Sequence, residues 1–398
     1  MQIATLRDDL PQLALVAALA SALHVGVAVA VAARTGIPLQ SLGAFFDGHF
    51  YLEIARSFPL PYAPEALDYA GLAPAYPALA WLLRGLLPDA LVNWGGAMLL
   101  ATWLPAVAAA LIFHRICRAL GLEPLLPTCL FVVANPRWIA VAAPPHPEPL
   151  AMAAALASLL AYLKGRPAAC GLWLCLAALA RFPALWLAGP LALGVAALRT
   201  PPAPRKAVWL AAPALALALW HVYLELRIPA FTSVFAEHQV FWDTHPTWPF
   251  AALAMNAIEW IWPPEYPLAA VTYATLAFYL FASAVGFRAS RMLWVLPLWV
   301  LVQVLFHVSL AGVRGAWDFS RLAILAWPAA LLIVWRLAAP RVPPLAGYAA
   351  ALVLLVFGIN YACRSMESGL TWQKEMQGFL VDTVTHLDEN APRWKTWR

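Results

Sequence analysis

The chain has 398 residues, of which 63% are hydrophobic and only 11% charged, with a net charge of +5 and a mean hydropathy of +0.74. Soluble domains carry about 25% charged residues, so this composition excludes a soluble fold and makes lipid the solvent for most of the apolar surface. The apolar runs are nearly continuous rather than alternating, which favours helices over a membrane β-barrel. The positive charge lies in short loops between these runs, so nucleic acid is not an expected partner.

In chain order, eleven apolar segments are predicted to be transmembrane helices. They are 11–33, 91–113, 125–143, 148–163, 168–180, 184–198, 207–224, 266–287, 292–311, 322–339 and 343–361. A further apolar stretch, 74–87, is too short to span and is predicted to lie at the interface or to re-enter. We therefore expect an all-α polytopic membrane protein with a single transmembrane domain, 1–398.

The distribution of charge predicts the orientation of this bundle. The short loops on one side are basic, and Asp8, Asp9 and Glu123 are the acids predicted there. The basic residues on this side are Arg7, Arg115, Arg118, Lys164, Arg166, Arg199, Arg205, Lys206, Arg288, Arg291, Arg336 and Arg341. Short basic loops face the cytoplasm. The first long loop (34–90), the second long loop (225–264) and the tail (362–398) are therefore expected outside the cytoplasm, and the expected location is a bacterial inner (cell) membrane.

The first outer loop carries an acid directly after the first helix, in the stretch 45–56, Phe-Phe-Asp-Gly-His-Phe-Tyr-Leu-Glu-Ile-Ala-Arg. This acid, Asp47, lies at the expected membrane surface, and Gly48 after it permits a tight turn. A functional carboxylate is one interpretation. The other is a helix cap, because Asp is a favoured N-cap residue. Local sequence leaves both interpretations open.

This stretch resembles the motif that follows the first helix in PIG-V-like mannosyltransferases, polytopic enzymes of the GT-C glycosyltransferase superfamily. That motif runs roughly Trp-Asp-Gly, two residues, Tyr, two residues, Ile-Ala. The segments 72–83, 135–151 and 171–187 resemble further family motifs in the same order, and 229–242 does so weakly. The chain departs from the family at Phe46, which replaces Trp, at 146–148, where His-Pro-Glu replaces Tyr-Ser-Glu, and at 182–184, where Phe-Pro-Ala replaces Pro-Asn-Gly. These departures leave the sugar and the acceptor open.

The resemblance implies a GT-C-like bundle and an inverting transfer of a hexose, in the first place mannose. The donor is a polyprenyl-phosphate sugar, and the acceptor is an extracytoplasmic lipid, glycan or protein. Asp47 matches the position of the family's essential carboxylate and is predicted to be the general base. No cofactor or metal site is predicted, although a divalent metal is not excluded. The predicted substrate-binding residues are His49, Tyr51, Glu53, His146, Glu148, Arg181, His238, Arg314 and Arg321.

Each of these assignments has a structural alternative. Arg181 interrupts an apolar hairpin, where a charge is costly and indicates function, yet its side chain could snorkel to the interface. Glu148 opens a predicted helix, where a carboxylate is electrostatically favoured. Arg314 and Arg321 flank Asp318 and could hold a loop through ion pairs.

Two other functions fit a polytopic membrane chain. The first is a transporter or a lipid-linked-sugar flippase, which needs no catalytic acid but often shows an internal repeat, and none is evident in the sequence. The second is a membrane-bound acyltransferase, which would use a histidine within a helix. His114, His221 and His307 are available for that role.

Overall fold

The fold is helical, as the composition predicts. The computed structural model describes residues 6–45, 47–58, 72–88, 92–197, 208–228, 233, 245–251, 267–289, 294–311 and 319–377. The strands within these ranges are two residues long: β1 (His245–Pro246) pairs antiparallel with β2 (Leu310–Ala311). Helices satisfy their own backbone polar groups, which lipid cannot do.

The first half of the chain forms nine α-helices within the described ranges. They are α1 (Leu6–Thr35), α2 (Gly48–Ser57), α3 (Ala75–Leu86), α4 (Trp94–Ala119), α5 (Leu125–Val133), α6 (Pro136–Ala142), α7 (Glu148–Leu163), α8 (Pro167–Ala180) and α9 (Ala188–Ala197). Short 3₁₀ helices at Leu39–Ala44 and Phe182–Leu187 precede α2 and α9, respectively.

The second half contributes six more described α-helices. They are α10 (Ala212–Arg227), α11 (Pro267–Ala289), α12 (Val295–Val308), α13 (Phe319–Leu322), α14 (Trp327–Ala338) and α15 (Pro344–Gln377). The 3₁₀ helix Val208–Ala211 leads into α10, and the 3₁₀ helix Ala323–Ala326 joins α13 to α14.

Six helices of the described chain are long and apolar enough to cross a membrane, which makes this an integral membrane protein. These spans are 9–35, 94–119, 208–227, 270–288, 319–338 and 344–371, and the bent pair α5 and α6 would make a seventh. Several other apolar helices, including α7, α8 and α12, are shorter than a full span. Length and composition of the described residues thus support six or seven spans rather than the eleven predicted from hydropathy.

The predicted helix 125–143 is in fact two helices that meet at 71°. The Asn135 side chain accepts hydrogen bonds from the backbone N–H groups of Arg137 at 3.0 Å and Trp138 at 3.2 Å, which starts a new helix with Pro136 in its first turn. Asn at an N-cap and Pro in the first turn are strong helix-start signals, whereas a hydropathy window averages over them. The bend leads the chain into the proline-rich segment before Glu148.

The last helix is longer than predicted, because α15 continues from the predicted end at 361 to Gln377. The predicted outer tail therefore begins as helix, and residues 378–398 lie outside the described ranges. Arg34, at the end of α1, forms an ion pair of 3.2 Å with Glu367 on α15. This contact places the C-terminal part of α15 beside the start of the loop that follows α1.

Small residues allow the close packing that positions the first loop. A Cβ built on Gly43 would lie 2.3 Å from the Cα of Gly95, so only glycine permits this approach of the 3₁₀ helix Leu39–Ala44 to the start of α4. The alanine-rich helix α7 is buried between α4 and α8. Membrane bundles depend on such small-residue contacts, since lipid provides no hydrophobic drive for helix association.

Candidate functional site

Asp47 lies between the 3₁₀ helix Leu39–Ala44 and α2, so this 3₁₀ helix separates it from the end of the first transmembrane helix at Thr35. It occupies the N-cap position of α2, yet its side chain makes no capping hydrogen bond. Its Oδ2 instead lies 2.6 Å from Nη2 of Arg321, 274 residues further along the chain. The capping interpretation therefore does not account for this carboxylate.

The glycine after Asp47 brings two of the motifs together. A Cβ built on Gly48 would lie 2.5 Å from Cγ of Pro145, so a larger residue would push α2 away from the segment before α7. That segment carries His146 and leads directly into Glu148, the first residue of α7. The Asp-Gly pair of the first loop is thus a packing requirement of the site as well as a turn.

Glu148 is the centre of the site and has no exposed surface. Its Oε1 accepts a hydrogen bond from Nε of Arg321 at 2.5 Å and forms an ion pair with Nη1 of Arg181 at 3.0 Å. Asp47, Arg321, Glu148 and Arg181 therefore form a continuous chain of ion pairs, called the arginine cluster below. Two carboxylates balance two guanidinium groups, which makes the burial of four charges tolerable.

The helices place these four charges from distant parts of the chain. Glu148 is the first residue of α7, where an acid also interacts favourably with the helix N-terminus. Arg181 ends α8, in extended backbone before Phe182-Pro183, and its side chain is largely buried rather than snorkelling to the interface. Arg321 comes from the short helix α13 and is also buried.

Electrostatics keeps Asp47 charged. Burial raises the pKa of its carboxyl, but the Arg321 guanidinium at 2.6 Å outweighs this effect and leaves the pKa below its ordinary value. Burial, assisted by the charge of Arg321, lowers the pKa of the nearby His146 ring to about 4. At neutral pH the site therefore contains an ionised aspartate beside a neutral imidazole.

Residues of α3 and α4 hold the segment before α7 in place. The backbone N–H of His146 donates to Oγ1 of Thr102 at 3.1 Å, and the Tyr76 hydroxyl lies 2.9 Å from the same oxygen. Trp103 Nε1 donates to the carbonyl oxygen of Ala143 at 2.8 Å. Tyr76 lies in the segment 72–83, whose resemblance to a family motif was the one sequence signal for it, whereas no signal in a single sequence marks Thr102 as a support of the site.

Several buried polar atoms around the arginine cluster have no hydrogen-bond partner among the described residues. They are Oε2 of Glu148, Nε of Arg181, Nδ1 of His146 and Oγ of Ser320. More than 90% of buried polar groups in native proteins are paired, so several orphans in one place indicate a site that receives a polar ligand or water.

The other predicted site residues fall into two groups. Tyr51 is buried on α2, packs edge-on against Tyr76 with ring centroids 5.2 Å apart, and lies within electrostatic range of the cluster. His49 and Glu53 are on the same helix, buried and half-buried respectively, and are not among the four members of the cluster. His238, Arg314 and Asp318 lie outside the described residues.

The histidines considered for acyl transfer occupy different environments. His114 Nε2 lies 3.1 Å from Oε1 of Gln12, and His221 pairs with Glu225 one turn along α10. His307 is buried on α12 within electrostatic range of Arg181. In the described part of the chain, no three His, Cys, Asp or Glu side chains are grouped to hold a metal ion.

Comparison with known protein families and with characterised proteins finds no match to this chain.

Proposed function

We propose that this protein is a GT-C-type glycosyltransferase that moves a hexose from a polyprenyl-phosphate sugar to an extracytoplasmic acceptor. The observation that carries the proposal is the arginine cluster, in which the carboxylate after the first helix meets two arginines and a second carboxylate inside a membrane bundle. Buried charges in a membrane protein are costly and usually serve function. An ionised acid beside cationic groups is the combination that a displacement with a phosphate leaving group requires.

Asp47 is the proposed general base for the acceptor hydroxyl, and the arginines are the proposed partners of the donor phosphate. In the ion-paired state Asp47 is a weak base, since Arg321 stabilises its charged form. A phosphate that bound Arg321 would compete for this guanidinium and release the carboxylate. Donor binding would thereby strengthen the base at the moment when it is needed.

The wider bundle is consistent with this proposal, which retains the GT-C-like arrangement of about eleven helices as its structural prediction. The shorter apolar helices α7, α8 and α12 lie among the longer spans and surround the arginine cluster. Broken and short helices are tolerated at membrane depth where they line a polar interior. A transporter could use the same interior, so covalent transfer is the property that must be measured.

Two ion pairs are consistent with the predicted alternation of spans. Arg118, at the end of α4, pairs with Asp9, at the start of α1, and both belong to the side predicted to be cytoplasmic. Arg34 and Glu367, which pair across α1 and α15, both belong to the side predicted to be extracytoplasmic. Each pair thus joins charges that the alternation of spans assigns to the same side.

Accessibility of the first loop provides a direct test of this orientation. Arg56 is exposed at the end of α2, so we expect an Arg56→Cys variant in intact cells to react with a membrane-impermeant thiol reagent. The partly buried native thiols Cys129 and Cys175 should first be replaced by Ala to lower the background. Labelling that occurs only after the cells are opened would place the loop in the cytoplasm and contradict the orientation.

Covalent transfer is tested with the purified protein in detergent or liposomes. The assay supplies a radiolabelled polyprenyl-phosphate mannose, and in parallel other polyprenyl-phosphate hexoses, together with a lipid and glycan extract from the native membrane. We expect label to appear in a product that no longer contains the polyprenyl phosphate. Movement of intact donor across the liposome membrane without any new product would instead identify a flippase.

A substitution at Arg181 distinguishes a role in phosphate binding from a role in stability. We expect Arg181→Gln to weaken binding of polyprenyl phosphate by roughly tenfold or more, because a charge-assisted hydrogen bond is worth about 1.5–3 kcal/mol. Thermal stability should change little, since Glu148 keeps Arg321 as its partner. An affinity equal to that of the wild type would show that Arg181 serves only the structure.

A further inference from the structure

The face of α12 that meets the arginine cluster carries two more buried polar side chains, Gln303 and His307, one helical turn apart. Their exposed fractions are 0% and 2%. Nε2 of Gln303 donates to the carbonyl oxygen of Pro183 at 2.9 Å, two residues after Arg181. Arg181 also lies within electrostatic range of the His307 ring. The pair therefore lies close to the Arg181 end of the cluster.

The hydrogen bonds that Gln303 and His307 already make determine which of their atoms remain available to a ligand. Nδ1 of His307 lies 2.7 Å from the backbone oxygen of Gln303, which can only accept, so Nδ1 carries the proton and Nε2 of the neutral ring is an acceptor. Because the Gln303 amide donates to Pro183, its Oε1 is also left as an acceptor. Within the described chain, neither Nε2 of His307 nor Oε1 of Gln303 has a hydrogen-bond partner.

Glu148 contributes a third acceptor to this region. Its Oε1 receives both arginines, whereas its Oε2 is buried and unpartnered among the described residues. Arg181 connects the Gln303–His307 pair to Glu148, since it forms an ion pair with Glu148 and lies near His307. Acceptors of this kind require a ligand that brings hydrogen-bond donors. An ionised phosphate brings only acceptors, whereas a sugar ring brings several hydroxyl groups.

We propose that Gln303, His307 and the free Oε2 of Glu148 form a subsite for the hydroxyl groups of the hexose. This inference rests on the proposed function and assigns the two chemical halves of the donor to two sets of side chains. The arginines donate to the phosphate, and the acceptor atoms beside them receive the sugar hydroxyls. A site built to bond a hydroxyl group discriminates strongly against an analogue that lacks it, so this face of α12 determines which sugar is accepted.

Two substitutions at His307 distinguish the role of the acceptor Nε2 from that of the hydrogen bond between Nδ1 and the Gln303 backbone. In His307→Asn the amide nitrogen can occupy the position of Nδ1 and keep the bond to the Gln303 backbone, but the acceptor at Nε2 is lost. His307→Gln reaches the position of Nε2 and can present an amide oxygen there. Leu305→Ala, on the exposed side of the same helix, is the matched control for packing.

The measurement is the affinity of each variant for polyprenyl-phosphate mannose and for polyprenyl phosphate without sugar. We expect His307→Asn to weaken binding of the sugar-bearing lipid by roughly five- to tenfold, the value of one net hydrogen bond, without weakening the bare phosphate. His307→Gln and Leu305→Ala should stay within about threefold of the wild type for both lipids, a difference below about 1 kcal/mol.

The other outcomes overturn the inference in distinguishable ways. Equal weakening of both lipids in His307→Asn would assign the residue to the phosphate or to packing. No weakening of either lipid would show that these acceptors bind only ordered water. A wild-type protein that binds neither lipid would overturn the proposed function itself, and the sugar subsite with it.

Discussion

Asp47→Asn is expected to reduce glycosyl transfer by about 10²–10⁴-fold, the usual contribution of a general base, while the protein stays folded. Asn has the same shape and cannot accept the proton of the acceptor hydroxyl. The fold should persist because Arg321 keeps its bond to Glu148, so no buried charge loses its last partner. The substitution therefore removes the proposed general base and leaves the fold and the Arg321–Glu148 contact in place.

The assay for this variant uses purified protein, the polyprenyl-phosphate sugar and its acceptor, with thermal unfolding measured in parallel. Arg56→Gln is the matched control, since Arg56 is exposed on the same helix. Activity of Asp47→Asn within about threefold of the wild type would mean that the carboxylate lowers the activation free energy by less than about 1 kcal/mol. In that case Asp47 is a structural partner of Arg321, and the base must be sought elsewhere.

The charged members of the site could be predicted from the sequence because charged residues are costly, and therefore rare, within apolar membrane-spanning segments. Asp47, Glu148 and Arg181 each interrupt or border a long apolar run, and their cost there indicates function. Their pairing could not be predicted. Sequence proximity suggested Asp318, which lies outside the described residues, as a partner of Arg321, and nothing in the sequence indicated the pairs that Arg321 forms with the distant Asp47 and Glu148.

The class of the fold could be predicted, but the number and ends of the helices could not. A hydropathy window merges α5 and α6 into one segment, since it averages over the cap at Asn135 and the proline after it. Tyr76 and Thr102 were missed as supports of the site for a different reason. Tyr76 lies in a segment that resembles a family motif but carries no assigned role, and Thr102 is an ordinary residue of an apolar helix; only tertiary packing brings them against the segment before Glu148.

Glu148→Gln is expected to have the second large effect, on stability as well as on activity. The variant retains an acceptor oxygen but leaves Arg181 without its counter-charge in the cluster, while Arg321 keeps its pair with Asp47. Removing one partner of a buried ion pair typically costs about 3–5 kcal/mol. We therefore expect a clearly lower midpoint of thermal unfolding in detergent, together with loss of donor binding.

A double variant distinguishes this charge imbalance from a simple loss of packing. Glu148→Gln combined with Arg181→Met removes the uncompensated positive charge and fills its space with an apolar chain, so it should recover most of the lost stability. Donor binding should not recover, because the phosphate partner is gone. Non-additive stability in this double-mutant cycle would measure the coupling between the two residues. Additive effects, or a Glu148→Gln protein as stable as the wild type, would show that an uncompensated charge on Arg181 does not destabilise the protein and that Glu148 serves substrate alone.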